Sequence, residues 1–328
     1  MDEIRLVTYT SSCAIPRDIP GRSLFHSVEL FEVFEQTDGY KPFYMVAWRG
    51  NNAVARLLAV VRNGRKFISS KFTRRCEIYE PGEILADDIK RDSLFKSMID
   101  HLSKIIMPHC FIIELRNLPA PLFCYKGLKQ CGFFPVTRIK VYNDLDDQLE
   151  NNISESRRRQ IEKGLSLGAT IEVAENTEDI LSFAKLLKYI YSPKIFRHFP
   201  DLDFFLKLST KNTGHKDLAK VFLVKFHQKI IGGALCVYSS DTAYLLFSGG
   251  MIKSFARIHP GTLAIWGAMN HARKYGYKRF QFMHAGNPFR KYGFRDFILR
   301  FGGNQRSTRR WFKFRWRWLN VLLTKLYV

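Results

Sequence analysis

Apolar residues along this chain follow two spacings, and the switches between them mark out its elements. Leu24, Val28, Phe31 and Phe34 recur at intervals of three and four, which predicts a helix over LFHSVELFEVFEQTDGY after the turn-rich entry IPRDIPGRS. The β-rich segments PFYMVAWR, AVARLLAVVR and KFISSKF follow, separated by Gly50-Asn51-Asn52 and by the hairpin signal Asn63-Gly64, so antiparallel strands are expected. Leu94, Met98, Leu102 and Ile105 give one face of a second helix in DSLFKSMIDHLSKII. Next come a strand, CFIIELRN, stopped by Pro119 and Pro121, and another in FPVTRIKVYN.

The acidic patch from Asp144 to Glu150 gives way to SESRRRQIEKGLSLG, a charged helical segment read as a linker helix, with Arg157, Arg158 and Arg159 as its exposed face or, alternatively, a nucleic-acid contact. The plan then repeats: strand ATIEVA, helices TEDILSFAKLLKYIY and DFFLKLSTKN, strands KVFLVKFHQKIIGGALCVYSS and TAYLLFSGG. Pro260-Gly261 opens the amphipathic run TLAIWGAMNHARKYGY, followed by a short strand in KRFQFMHAGN and a closing loop in YGFRDFILRFGGN. Strand, anion-ready turn, helix and strand in that order can hold a negative group at a helix start, where free N–H groups and the helix dipole both favour it. An enzyme is therefore favoured over a scaffold.

At 328 residues, 46% of them apolar, the chain is long enough for two cores on a prior of roughly one domain per 150 residues. The expected fold is α/β (α+β), with an N-terminal domain over 1–142, a C-terminal domain over 143–304 and a basic aromatic tail over 305–328. Lys and Arg number 52 against 30 Asp and Glu, a formal charge of +22 that favours anionic partners: nucleic acid, phosphorylated cofactors or acidic lipid. The start, MDEIRLVTYTSS, lacks the basic and apolar regions of a secretory signal, and no apolar run approaches the ~20 residues of a spanning helix, so a cytoplasmic protein is expected. Cys13, Cys76, Cys110, Cys124, Cys131 and Cys236 show no metal-ligand spacing and read as reduced thiols.

Several stretches resemble one family. PGRSLFHSVELFEVFEQTDGYKPFYMVAWRGNNAVARLLAVV looks like the opening helix and hairpin of the Fem-type peptidyltransferases and the related envelope-polysaccharide acyltransferases, both branches of the GNAT acyltransferase superfamily. SESRRRQIEKGLSLGATIEVAENTEDI, KIIGGALCVYSSDTAYLLFSGG and PGTLAIWGAMNHARKYGYKRFQF with its distant FGG carry the likeness through the second half. The resemblance implies two tandem GNAT-like domains that transfer an acyl or aminoacyl group to an amine, with acyl-CoA or aminoacyl-tRNA as co-substrate and no metal. The acceptor it implies is an amine of an envelope precursor, polysaccharide or lipid. One departure stands out: Fem-type enzymes often carry a lysine between the Phe and the FGG, where this chain has Ile298, with Arg295 and Arg300 nearby.

Acyl transfer to an amine needs aligned reactants, a proton acceptor, and donors facing the developing oxyanion. The resemblance places those donors on a splayed strand, here Leu246, Phe247 and Ser248 before Gly249-Gly250, with an ordinary central strand as the alternative. Arg257, Gly261 and Thr262 are the anion-site candidates, against a simple capped helix start. Glu114 and Arg116 share one strand face, as an acceptor base and a carboxylate or phosphate clamp or else as a salt bridge. Tyr244 is a candidate proton donor to the leaving group, and His284 a candidate at the acceptor; packing and loop roles are the alternatives. Arg290, Lys291 and Arg295 form a phosphate-facing patch or a solvated loop.

Residues 305–328 hold seven Lys or Arg, three Trp and no acid. Peripheral attachment to an anionic membrane, on the inner face of the cytoplasmic membrane, stands level with a final strand and docking helix. A rival to the enzyme is a catalytically idle GNAT-like module that binds RNA or anionic membrane.

Overall fold

The computed structural model describes residues 3–63, 73–191, 199–213 and 216–327. Contacts divide the chain into two compact units, residues 1–138 with 307–328, and residues 139–306.

The first unit opens with β1 (Ile4–Tyr9), α1 (Val28–Glu35), β2 (Tyr40–Arg49), β3 (Asn52–Arg62), β4 (Arg75–Tyr79) and β5 (Glu83–Ile84). It continues through α2 (Arg91–Ile106), β6 (Ile112–Arg116) and α3 (Tyr125–Gln130) into β7 (Phe134–Asp144), within which the chain passes to the second unit. The helix expected from Leu24 starts later, at Val28, because Ser27 caps it: its hydroxyl accepts from the Leu30 amide at 3.1 Å. The meander is antiparallel as read, β1 on β2 and β2 on β3, with β4 on the far side of β3. The expected strand KFISSKF, residues 66–72, lies outside the described residues. β4 and β6 are parallel, in register from Arg75↔Ile112 to Tyr79↔Arg116. Their core gathers Phe43, Met45, Leu57 and Ile113 from the strands with Phe95 and Leu102 from the apolar face of α2.

The second unit contains α4 (Leu149–Asn152), α5 (Glu155–Ser166), β8 (Thr170–Val173), α6 (Thr177–Tyr191), α7 (Leu202–Thr210), β9 (Asn212–Thr213) and β10 (Lys216–Asp217). β11 (Ala219–Phe226) and β12 (Lys229–Ser239) form a hairpin turned by His227 and Gln228, both at positive φ. β13 (Thr242–Gly250), α8 (Pro260–Lys274), β14 (Arg279–Phe282) and α9 (Gly293–Leu299) complete it. The strand order is β14-β13-β12-β11-β8, antiparallel except for the parallel pair β13 and β14. α8 buries Leu263, Ala264, Ile265, Ala268 and Met269 against this sheet. The segment read as a closing loop is instead the helix α9, whose Ile298 is fully buried together with Phe301.

The chain then returns. β15 (Asn304–Phe314) pairs antiparallel with β6 through Trp311↔Leu115 to Phe314↔Ile112, and α10 (Arg317–Tyr327) follows. The alternation Phe312, Phe314, Trp316, Trp318 therefore holds only to Phe314 before the backbone turns helical. Trp311 is wholly buried in the first unit, edge-on to Tyr125 with centroids 5.1 Å apart.

Candidate active site

In the second unit the parallel ladder between β13 and β14 runs only from Thr242↔Arg279 to Leu245↔Phe282, while β13 continues to Gly250 alongside β12. The two strands part there. At the same level the β12–β13 register slips: Leu235 faces Phe247 and Cys236 faces Leu245, so Leu246 is one extra residue on β13. Such a bulge bends its strand and takes backbone groups out of the ladder, and here it falls where β14 leaves.

A small pocket, open to solvent, occupies the opening and is lined by Tyr191, Leu245, Leu246, Ser248, Phe282, Met283, His284 and Phe294. Of the sequence candidates, Leu246, Ser248 and His284 are brought together here. His284 is exposed at the strand end, as its position after KRFQF implied. Phe247 lies on the pocket's strand without lining it, packing instead against Tyr191, Phe199 and Phe205 at centroid distances of 6.2, 5.8 and 5.2 Å. Tyr244 is buried in the ladder opposite Gln281. Sequence reasoning missed Tyr191, whose hydroxyl donates to the Ser248 carbonyl at 3.3 Å. As the last apolar residue of a periodic helix, Tyr191 gave no signal beyond packing.

α8 begins close to the end of β13. A Cβ on Gly250 would lie 2.8 Å from the Gly261 nitrogen and 3.0 Å from Pro260 Cγ, so only glycine lets strand end and helix start approach this far. Gly261 itself faces open space. The amides of Thr262 and Leu263 both turn back to the His259 carbonyl, at 2.9 and 3.2 Å. Arg257 is exposed in the preceding turn. Arg157, expected on an exposed helix face, is instead 2% exposed. Its Nη1 donates to Thr262 Oγ1 at 2.6 Å and to Gln160 Oε1 at 2.7 Å, its Nη2 donates to the Phe297 carbonyl at 2.8 Å, and the rings of Phe297 and Phe301 stack on it. Among the described residues no carboxylate pairs with it. Burial, with Arg300 nearby, lowers its pKa to about 10.

Arg295 holds the loop after β14, donating to the carbonyls of Asn287 at 2.7 Å and Arg290 at 3.0 Å, while the Arg290 and Lys291 side chains are exposed. Glu114 and Arg116 lie in the first unit, within an ion network on β3, β4, β6 and β15. Glu114 is 1% exposed and receives Arg116 at 2.8 Å, Arg310 at 3.0 Å and Arg75 at 3.4 Å, and Arg116 also reaches Glu77 at 3.0 Å. Burial alone would raise the Glu114 pKa; Arg116 and Arg310 outweigh it and hold the carboxyl below its ordinary value. This is the salt-bridge alternative that the strand spacing left open. Cys236 is a buried thiol whose pKa burial raises, and no metal-holding cluster occurs among the described residues.

The matching parallel pair of the first unit behaves differently. β4 and β6 stay zipped to Tyr79↔Arg116, and the Glu80 amide extends the ladder to the Arg116 carbonyl at 2.9 Å. The opened pair is in the second unit, and there the family model described as an acetyltransferase (GNAT) domain matches residues 152–291. Residues 152–291 are thus similar to a GNAT domain. The whole chain is similar in fold to solved tandem GNAT structures. The crystal structure of FemX is 15% identical, covering 94% of this chain and 95% of its own, with a TM-score of 0.64. A tandem GNAT protein from the clavulanic acid biosynthesis pathway is 10% identical over 96% of this chain and 99% of its own, with a TM-score of 0.57. The C-terminal domain of a putative lysylphosphatidylglycerol synthetase from Agrobacterium fabrum is 13% identical over 83% and 87%, with a TM-score of 0.53. No curated protein matches the sequence.

Proposed function

We propose that this protein is an N-acyltransferase that moves an acyl or aminoacyl group from acyl-CoA or aminoacyl-tRNA to an amine of an envelope precursor, polysaccharide or lipid, working at a membrane surface reached through residues 305–328. The observation that carries the reading is the parting of β13 and β14 beside the Leu246 bulge. A carbonyl placed in that opening meets backbone amides freed from the ladder, which is where charge develops as an amine adds to it. The amine nitrogen bonds to the carbonyl carbon, the C–S or C–O bond to the carrier breaks, and the amine proton passes to His284 at the mouth. The carrier leaves as free thiol or hydroxyl once it takes up a proton. The phosphates of either donor suit the start of α8, where Gly261 leaves space and the helix dipole favours an anion, with Arg257, Arg290 and Lys291 as exposed cations. No tightly bound cofactor is required.

The zipped β4–β6 pair supports assigning the donor to the second unit. The test incubates purified protein with acyl-CoA or charged tRNA and a panel of acceptor amines, following free CoA thiol or deacylated tRNA. Amine-dependent release by the wild type and a fall in kcat of about a hundredfold in His284→Ala are expected. Silence with every donor and acceptor would leave the idle anion-binding module in its place.

A further inference from the structure

We propose that α10 is a seat for an anionic lipid bilayer, with Trp318, Val321, Leu322 and Leu326 entering the interface and Arg315, Arg317 and Lys325 meeting lipid phosphates. Trp318, Val321, Leu322 and Leu326 are 62%, 53%, 48% and 68% exposed, and their spacing of three, four and eight residues puts them on one stripe of the helix. The opposite face holds the helix to the protein. Asn320 accepts from the Phe314 amide and donates to the Phe314 carbonyl, both at 2.7 Å, while Trp316 packs edge-on against Phe111 at 5.1 Å. The helix is thus fixed by one side with its apolar stripe turned outward, which a helix docked only for packing would not do.

Charge decides what covers the stripe. Of the basic residues after Gln305, Arg310 is engaged by Glu114 and Arg309 by the Pro121 carbonyl, whereas Arg315 and Arg317 are exposed at the start of the stripe and Lys325 is exposed within it near its end, and the segment contains no acid. An aliphatic ridge with cations towards both ends and Trp at its start fits the head-group layer of an anionic leaflet. Nucleic acid would satisfy the cations but offers Val321, Leu322 and Leu326 no apolar depth. No helix among the described residues is long and apolar enough to cross a membrane, so attachment here is lateral. Vesicle binding needs no acyl donor, so this inference and the transferase reading fail separately.

The test is flotation of the full chain with vesicles of phosphatidylcholine alone or mixed with phosphatidylglycerol, at low and high salt. A double variant, Trp318→Ser with Leu322→Ser, is compared after thermal unfolding confirms that it folds. Salt-weakened binding to the phosphatidylglycerol vesicles, a blue-shifted tryptophan emission, and a loss of roughly a hundredfold in the variant are expected. Absent binding, or equal binding by the variant, overturns the proposal. So does tRNA binding or self-association that the variant abolishes while vesicles bind neither protein.

Discussion

Arg157 shows how one side chain ties helices together with no carboxylate partner among the described residues. Its guanidinium joins α5 to Thr262 of α8 and to the Phe297 carbonyl of α9. Arg157→Ala would leave those acceptors unpaired and a void between two rings, so a loss of about 2–4 kcal/mol is expected from urea unfolding, against less than about 0.5 kcal/mol for the exposed Arg159→Ala. Glu114 makes the opposite case, a buried acid among arginines. Glu114→Gln is expected to destabilise by about 3 kcal/mol, because Arg116 and Arg310 stay buried with less compensation. The sign of its pH dependence follows from a depressed folded pKa. The network's contribution is complete above the ordinary carboxylate value of 4.5 and is lost as pH falls through the lower folded value, which urea midpoints of wild type and variant across an acid series would show.

At the scale of elements, the proposed donor site depends on how closely α8 approaches β13. Gly250→Val would put a side chain against Pro260 and the Gly261 nitrogen. The expected result is a displaced helix start: a donor KM raised about tenfold or more and a stability loss of about 1–3 kcal/mol, read by steady-state kinetics and thermal unfolding. Most of these elements were legible, since Leu94, Met98, Leu102 and the run from Thr262 keep helical spacing over several turns. His284 was legible as a pocket residue because it follows a strand, and Ser248 only through the resemblance to a family with a splayed strand. Tyr191 and the burial of Arg157 were not. Both depend on which helix face meets which neighbour, and the polar run SESRRRQIEK looks solvated from end to end. α9 was hidden because its seven residues are too few to display a period.

For the molecule as a whole, the least legible feature was the return of β15 to the first unit, a pairing across nearly two hundred residues that no local pattern encodes. It changes what a truncation means. Ending the chain at Gln305 removes Trp311 and the partner of β6, so loss of cooperative unfolding in the first unit is expected by circular dichroism and limited proteolysis, whereas ending it at Arg315 should keep that unit folded. The contrast separates structural from interfacial roles within 305–328.

The position of that strand also sets a timetable for biosynthesis. Residues 1–138 emerge from the ribosome with the β6 edge bare, and at roughly 5–20 residues per second the 168 residues of the second unit take about ten to thirty seconds to follow. The second unit can mature while the first stays incomplete, its open edge available to chaperones or to a neighbouring nascent chain.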